Sequence, residues 1–443
     1  MGIVKAYDIR GLVGTEIDSY IAHNVGKAVV TLLKAKNVLL AHDMRTHSPA
    51  LAYALKYGVI AQGADAVCLG LSSTPQFYYT LAAGTYDAGI MITASHNPKE
   101  YTGFKICGKG AFPISYDNGL ADIEKMLQGN NWPKSGIGKL VDCPDSREAY
   151  ARFVQSCIPL EHPHKIVFDT GNAMEGYTLP SLLSFYPQIS SIPLFFELDG
   201  TFPNHEANPI KEENLSVLKQ TVIEQHAELG LGFDGDADRV GFVDEHGKFV
   251  SSDFVFCVIA TYYLADHPGS PIVYDIRSTR ALPEAIEAAG GKPVIWKGGH
   301  SRIKLKMREL DAPRGAEKSG HFFFKESFFG EGVDLAWLSV LQIMEKTGKK
   351  LSELVAPFQK YYGGEELNYS VPVDPVAMLK KIEDAYPQGK SMYLDGLSLD
   401  CGDWWCNVRP SNTEPLLRLN IEARTQELYE EKKNEIGGLI TLL

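Results

Sequence analysis

Met91-Ile92-Thr93-Ala94-Ser95-His96-Asn97-Pro98 sets a hydroxyl nucleophile, Ser95, at the end of an apolar run. The lead-in from Asp87 to Thr93 is short, apolar and β-rich, the pattern of a buried parallel strand. Pro98 and Gly103 then end it in a turn. In open α/β sheets, ligands sit beyond the carboxyl ends of strands, so Ser95, His96 and Asn97 are expected to face a cleft. Alone, the hexapeptide from Thr93 reads equally well as a polar loop capping a helix. Three further segments, one in each remaining quarter of the chain, carry groups suited to the same chemistry.

The 443 residues are too many for one hydrophobic core and suggest about three domains on length alone. A formal charge of -12 argues against broad binding to nucleic acid or an anionic membrane, yet leaves room for a local basic pocket that takes a small anion. Seven cysteines, without paired metal spacing, read as reduced thiols. No apolar run approaches the roughly 18 residues of a spanning helix. Lys5, Asp8 and Arg10 break any signal-peptide core, and Ala6 stands where a myristoylation motif needs Ser or Thr. A cytoplasmic location is expected.

Taken in order, residues 1–145 alternate helical and strand-like stretches: helix Ala22 to Lys34, strand Asn37 to Ala41, helix Ser48 to Ala64, strand Asp65 to Leu71. That rhythm means βαβ crossovers and a mainly parallel sheet. Tyr7-Asp-Ile-Arg10-Gly and Tyr101-Thr-Gly-Phe-Lys105 flank it; a lone lysine such as Lys105 is more often a solvated surface group. Residues 146–250 restart with helix Arg147 to Cys157 and a strand from His164, then run into Asp234-Gly-Asp236-Ala-Asp238-Arg239 and a hairpin turning at His246-Gly247. Three carboxylates at alternate positions repel one another without a counter-ion, and hard oxygen ligands in that number favour Mg²⁺. A calcium EF-hand is the rival, with Glu245 at its twelfth position, but Arg239 stands where that loop needs Gly. A solvated acidic turn is the other alternative.

Residues 251–365 repeat the α/β rhythm: helix Phe254 to Leu264, strand Ile272 to Ile276, helix Arg280 to Ala289, strand Pro293 to Trp296. They add Lys297-Gly-Gly-His300-Ser301 and Glu317-Lys318-Ser319-Gly-His321. Either histidine alone reads as structural, whereas a Glu and a Ser in one tight turn suit a sugar diol. Residues 366–443 read as a small α+β domain, with strands Leu367 to Val373, Ser398 to Val408 and Leu416 to Ala423, a helix Pro375 to Tyr386 and a last helix from Gln426. Between two of those strands lies Arg409-Pro-Ser411-Asn412-Thr413-Glu-Pro415. Arginine, hydroxyls, an amide and turn N–H groups are what a phosphate dianion requires, though a Pro-bounded turn is the plainer reading.

Together these motifs resemble the α-D-phosphohexomutase family, in particular its phosphomannomutase and phosphomannomutase/phosphoglucomutase branch. The resemblance runs the whole chain in order: Thr93 to Pro98 matches the phosphoserine loop, Asp234 to Arg239 the metal loop, Glu317 to His321 the sugar loop and Arg409 to Pro415 the phosphate loop. Tyr7 to Gly11, Ser73-Thr-Pro75 and Phe202-Pro-Asn-His205 also fit. The family implies four domains around a central cleft: three similar mixed α/β sandwich domains and a C-terminal α+β domain resembling the TATA-box-binding protein. It implies a phosphorylated Ser95, with Mg²⁺ held by Asp234, Asp236, Asp238 and a phosphoserine oxygen. Glu317 and Ser319 would grip the sugar, with His321 beside them, and Arg409, Ser411, Asn412 and Thr413 would hold the non-reacting phosphate. Tyr7, Arg10, His96, Asn97, Lys105 and Arg239 would surround the reacting phosphoryl group, with His300 and Lys105 as candidates for proton transfer.

The reaction this implies is reversible phosphoryl transfer between the 6- and 1-hydroxyls of a hexose phosphate through a hexose 1,6-bisphosphate. Mannose phosphate is the first expectation and glucose phosphate the second. A phosphoglucomutase alone, a sugar bisphosphate synthase or phosphatase, and a non-enzymatic phosphosugar-binding protein are the alternatives. The implied partner is a small-molecule hexose phosphate, with no nucleic acid and no membrane, acting on a monomer or dimer. Ala316 before Glu317, Lys318 in place of Met, Gly298 in place of Thr or Val, and Arg277 in place of Lys depart from the dual-specificity pattern and bear on sugar preference.

Overall fold

The computed structural model describes residues 2–129, 131–133, 136–370, 375–410 and 416–441. Among them are four sheets, each built from one quarter of the chain. The first contains β1 (Ile9–Leu12), β2 (Asn37–His42), β3 (Asp65–Leu71), β4 (Ala88–Ile92), β5 (Tyr101–Gly108), β6 (Phe112–Pro113) and β7 (Leu140–Asp142), in the order β1-β5-β4-β2-β3-β7 with β6 on β5. Period-two alternation along β2 separates its two faces. Val38 and Leu40 meet α1 (Ser19–Leu33) and α2 (Ser48–Ala61), whereas Leu39 and Ala41 meet Phe77 and Leu81 of α3 (Thr74–Ala83). A further helix, α4 (Leu120–Gly129), completes the α1 side.

This sheet is mixed rather than mainly parallel. Pairs β2–β3, β2–β4 and β3–β7 are parallel, but β5 runs antiparallel to β4, β1 and β6. The eight residues from Thr93 to Glu100 are fewer than the dozen or so a parallel crossover needs, so the chain turns straight back. The consequence is positional: Lys105 pairs across from Met91, beside the serine loop.

The second sheet runs β12-β11-β10-β8-β9, with β8 (His164–Asp169), β9 (Ile189–Leu194), β10 (Leu229–Phe233), β11 (Val240–Val243) and β12 (Phe249–Val250). It is flanked by α5 (Arg147–Cys157), α6 (Glu175–Leu183) and α7 (Ser216–Gln225). The third runs β14-β13-β15-β16, with β13 (Pro271–Asp275), β14 (Lys292–Trp296), β15 (Arg314–Ala316) and β16 (Phe322–Phe324). Its helices are α8 (Ser252–Asp266), α9 (Ala281–Ala288), α10 (His300–Leu310), α11 (Val333–Thr347) and the short α12 (Leu351–Val355). One apolar core spans both sheets, with Phe168 edge-on to Trp337 at 5.5 Å and Phe242 edge-on to Phe322 at 5.9 Å.

The fourth sheet, β17-β21-β20-β19-β18, is wholly antiparallel and has its own core. Its strands are β17 (Tyr362–Ser370), β18 (Lys390–Met392), β19 (Leu397–Asp400), β20 (Trp404–Pro410) and β21 (Leu416–Ala423), covered by α13 (Pro375–Ala385) and α14 (Gln426–Thr441). The single strand expected over Ser398 to Val408 is two, because Gly402, at φ 84°, turns the chain between β19 and β20. Of the strand expected over Leu367 to Val373, the last three residues lie outside the described ones. Among the described residues no helix is long and apolar enough to cross a membrane.

A shared device places three of the motif loops. Each joins an antiparallel pair: β4 to β5, β10 to β11, and β15 to β16.

Candidate active site

Ser95 is almost fully buried, at 2 % exposure, and holds the left-handed φ of 51° that non-glycine residues rarely adopt. An outlier of this kind persists only where its surroundings over-determine it. Here the constraint is Arg45, whose guanidinium donates to the carbonyls of Ser95 at 2.8 Å, Asn97 at 2.6 Å, Pro98 at 2.8 Å and Tyr101 at 3.2 Å. Arg45 is held in turn by Asp43 at 3.2 Å and lies over the Phe202 ring at 5.1 Å. The Ser95 hydroxyl then donates to Asp234 Oδ2 at 2.7 Å, joining loops of the first and second sheets. Gly235 makes the approach feasible, since a Cβ there would lie 2.2 Å from the Ser95 carbonyl oxygen.

Asp234, Asp236 and Asp238 are fully buried, and one oxygen from each lies within 4.8 Å of the others. Asp234 Oδ1 accepts the backbone N–H groups of Asp238 at 3.0 Å and Arg239 at 3.2 Å. Asp236 Oδ2 accepts from Lys105 at 2.7 Å and from the Thr74 hydroxyl at 2.6 Å; Lys105 also pairs with Asp238. Burial pushes Asp234 up to about 8, with repulsion from Asp238 and Asp236 adding to it. Burial alone would depress Lys105, but Asp236 and Asp238 raise it, so the ammonium is held charged. Lys105, expected to take part in proton transfer, is here paired with two of the three carboxylates as a charged ammonium. Asp236 Oδ1 is buried with no hydrogen-bond partner. An orphaned carboxylate oxygen beside two further carboxylates fits a divalent cation. A strand, β10, precedes this loop rather than the helix of an EF-hand.

The third sheet brings its two motifs to the same cleft. His321 Nε2 lies 3.3 Å from Asp238 Oδ1 and its Nδ1 lies 3.2 Å from Glu317. Burial would lower this imidazole, but Asp238 carries it up to about 9, so it is an imidazolium at neutral pH. Ser319 Oγ is 2.9 Å from His321 Nδ1. Glu317 also accepts the Gly299 N–H and lies 3.5 Å from Arg277; against its burial, His321 holds it down at about 2. Arg277 forks onto Asp275.

His300 opens α10, its Nδ1 3.3 Å from Glu331. Burial and the Lys304 ammonium hold His300 below the ordinary histidine value, against the pull of Glu331, leaving a neutral imidazole. Tyr7 donates to the Gly298 carbonyl at 2.8 Å, and its ring lies 5.9 Å from that of His300. Arg10 pairs with Asp8 and donates to Asn97. His96 is kept well below the ordinary histidine value by Arg239, then by burial and Arg10. Arg239 Nε stands 3.7 Å from Asp234.

On the fourth sheet Arg409 is buried, paired with Glu366 and donating to Asn407 and Asn420, each at 3.3 Å. Burial lowers its pKa, and so does the nearby Arg277 of the third sheet. Ser411, Asn412 and Thr413 lie outside the described residues.

Sequence reasoning missed Arg45, Asp275, Lys304 and Glu331. Arg45 and Asp275 sit at or just after the carboxyl ends of β2 and β13, the position that drew attention to Ser95, and that rule would have found them. Lys304 and Glu331, an ion pair at 2.9 Å, are single residues without a spacing signal.

Comparison with known proteins agrees with this geometry. Family models described as phosphoglucomutase/phosphomannomutase match along the chain: alpha/beta/alpha domain I over residues 1–133, domain II over 148–247, domain III over 251–361 and the C-terminal domain over 366–437. A phosphomannomutase of Methanocaldococcus jannaschii is 37% identical, over 100% of this chain and 98% of its own. A phosphomannomutase/phosphoglucomutase of Pseudomonas aeruginosa is 35% identical, over 97% of this chain and 94% of its own. The crystal structure of a phosphoglucomutase/phosphomannomutase family protein from Burkholderia thailandensis superposes with a TM-score of 0.91 at 30% identity, covering 99% of this chain and 97% of that one. With all four domain models matched in order, the chain belongs to the phosphoglucomutase/phosphomannomutase family of α-D-phosphohexomutases.

Proposed function

We propose that this protein is a hexose phosphate mutase that moves a phosphoryl group between the 6- and 1-hydroxyls of mannose phosphate, with glucose phosphate as a second substrate, through phosphoserine 95. The observation that carries this reading is the Ser95 hydroxyl 2.7 Å from Asp234, inside a buried carboxylate triplet. Phosphoserine 95 gives its phosphoryl group to the free hydroxyl of the bound sugar phosphate; the serine oxygen is the leaving group, and a hexose 1,6-bisphosphate forms. The bisphosphate turns end for end, and Ser95 attacks its other phosphate to regenerate phosphoserine and release the isomer.

Mg²⁺, held by Asp234, Asp236, Asp238 and Ser95, would supply electrostatic neutralisation of the transferring group. The chain's own residues do the rest. Arg239 and Lys105 add positive charge beside that group, and His96, kept neutral, adds none. Neutral His300 would accept the proton of the incoming hydroxyl. Glu317 and Ser319 orient the sugar. Arg409, with Ser411, Asn412 and Thr413, holds the phosphate that is not reacting, and Arg277 and His321 line the side between.

Domain limits of 1–145, 146–250, 251–365 and 366–443 follow from this assignment, with the fourth domain as the lid that excludes water. The net charge of -12 supports a small-molecule substrate without nucleic acid or membrane.

The test is Ser95→Ala, assayed with mannose 1-phosphate and glucose 1-phosphate, each primed with a trace of its 1,6-bisphosphate. A folded variant without isomer formation is expected, and substantial residual flux would reject the covalent route. Inorganic phosphate release exceeding isomer formation in the unaltered protein would favour the phosphatase alternative.

A further inference from the structure

The fourth sheet carries an arrangement that the reaction scheme does not use. Arg409 on β20 and Arg418 on β21 sit directly opposite each other in register, just before and after the phosphate loop. Like charges facing across a strand pair repel. Glu366, on β17 at an irregularity in its pairing with β21, reaches between them: one carboxylate oxygen pairs with Arg409 and the other lies 3.1 Å from Arg418. The second guanidinium nitrogen of Arg409 is taken up by Asn407 and Asn420. Glu366 thus occupies both arginines as a phosphate dianion would, with one anionic oxygen to each.

We infer that Glu366 is an internal competitor for the phosphate site, a positioning residue that limits how tightly Arg409 and Arg418 grip the non-reacting phosphate. The inference rests on the reading that Arg409 binds that phosphate. It gives the bound bisphosphate a route to turn round. A fork with no counter-anion would hold one end of a bisphosphate tightly and slow its exchange for the other. With a carboxylate on the same two arginines, each release of phosphate is met by Glu366 closing back onto them, so the fork is never left as an uncompensated cationic pair. Arg409 and Arg418 hold Glu366 ionised below the usual carboxylate range despite its partial burial, which keeps it able to compete.

The experiment is direct binding of glucose 1-phosphate by titration calorimetry, with steady-state kinetics, on the unaltered protein, Glu366→Gln, Glu366→Asp and Arg409→Ala. Removing the competing carboxylate charge is expected to tighten binding and lower KM by about tenfold at low ionic strength, an effect that added salt diminishes. A fall in kcat should accompany it as turnover of the bisphosphate slows. Glu366→Asp, with its carboxylate drawn back, should move both quantities the same way by less, and decides the sign if Glu366→Gln does not fold. If Glu366 only braces the sheet, both variants bind more weakly or unchanged, and the inference is overturned. If Arg409→Ala binds glucose 1-phosphate as well as the unaltered protein, the phosphate-site reading itself fails, which is a separate result.

Discussion

At Gly235 the backbone of the carboxylate loop lies against that of the serine loop, leaving space for no side chain. Gly235→Ala is therefore expected to destabilise the protein by about 1–3 kcal/mol, as overpacking does. Turnover should fall by more than that figure implies, because the Ser95 hydroxyl would leave Asp234. Urea denaturation and steady-state rates on the same preparation check both, and an active variant of normal stability would show that the two loops separate at no cost. Arg45 acts on the same loop from behind, through four carbonyls. It illustrates what the sequence could tell at this scale. Ser95, the three aspartates and Glu317 stand in short motifs whose spacing implies chemistry. Glu331 works by reaching residues far away in sequence, and nothing beside it announces that, whereas Arg45 lies just past the carboxyl end of β2, a position the sequence does show. Lys105 was legible as a residue of interest but its partners were not, since they depend on its lying across from Met91 on an antiparallel strand.

Among the elements, β8 and α11 are tied by one histidine. His164, at the head of β8, places Nδ1 3.0 Å from Glu228 and Nε2 3.1 Å from Glu345, while Glu345 also accepts the N–H groups of Glu161 and His162. Burial would lower His164, but hydrogen bonds to the two carboxylates raise it above 6.5. A raised histidine contributes stability that is fully present below 6.5 and is lost as pH climbs through the higher folded value. In spite of their burial, Glu228 is depressed by His164 and Glu345 by the His162 N–H and then His164, so their share is present above 4.5 and lost as pH falls through the lower folded values. The cluster should therefore stabilise most between 4.5 and 6.5. Thermal denaturation of His164→Asn against the unaltered protein should show its largest Tm deficit in that window and a smaller one near pH 9; a deficit independent of pH would mean that packing, not charge, does the holding. Strand and helix positions were mostly legible from apolar periodicity, which reports burial. Strand direction was not. Only the shortness of the Thr93–Glu100 connection forces β5 antiparallel, and Gly402 divided a strand that periodicity alone joined.

Across the whole molecule, the second and third sheets share one core while the fourth keeps its own. The fourth sheet meets the third through polar contacts. Glu422 accepts from the Thr279 hydroxyl at 3.1 Å, from the Arg280 N–H at 3.0 Å and from Trp405 at 2.9 Å. Arg280 reaches Asp400 at 2.8 Å, and Lys318 of the sugar loop donates to the Gly364 carbonyl. Glu422 also faces the amino end of α9, where a carboxylate is favoured. Glu422→Ala should leave the first three domains folded while loosening the fourth. The expectation is a KM for hexose phosphate raised about fivefold, for roughly 1 kcal/mol of lost docking, with faster amide hydrogen exchange confined to β17–β21. Exchange that accelerates in every domain alike would argue that the four move as a single body. The four-part organisation was legible because each quarter carried its own motif. How the parts touch was not, since Glu422 looks like an ordinary surface charge until two domains are placed together.

The hydrogen bond between Ser95 and Asp234 spans 139 positions of the chain. At about 5–20 residues per second, a ribosome extends the nascent polypeptide for on the order of ten seconds after making the nucleophile and before making its carboxylate partner. Under the proposed covalent route, a chain at that stage lacks the carboxylates that would neutralise the transferring group, and competence would arrive only with the later domains.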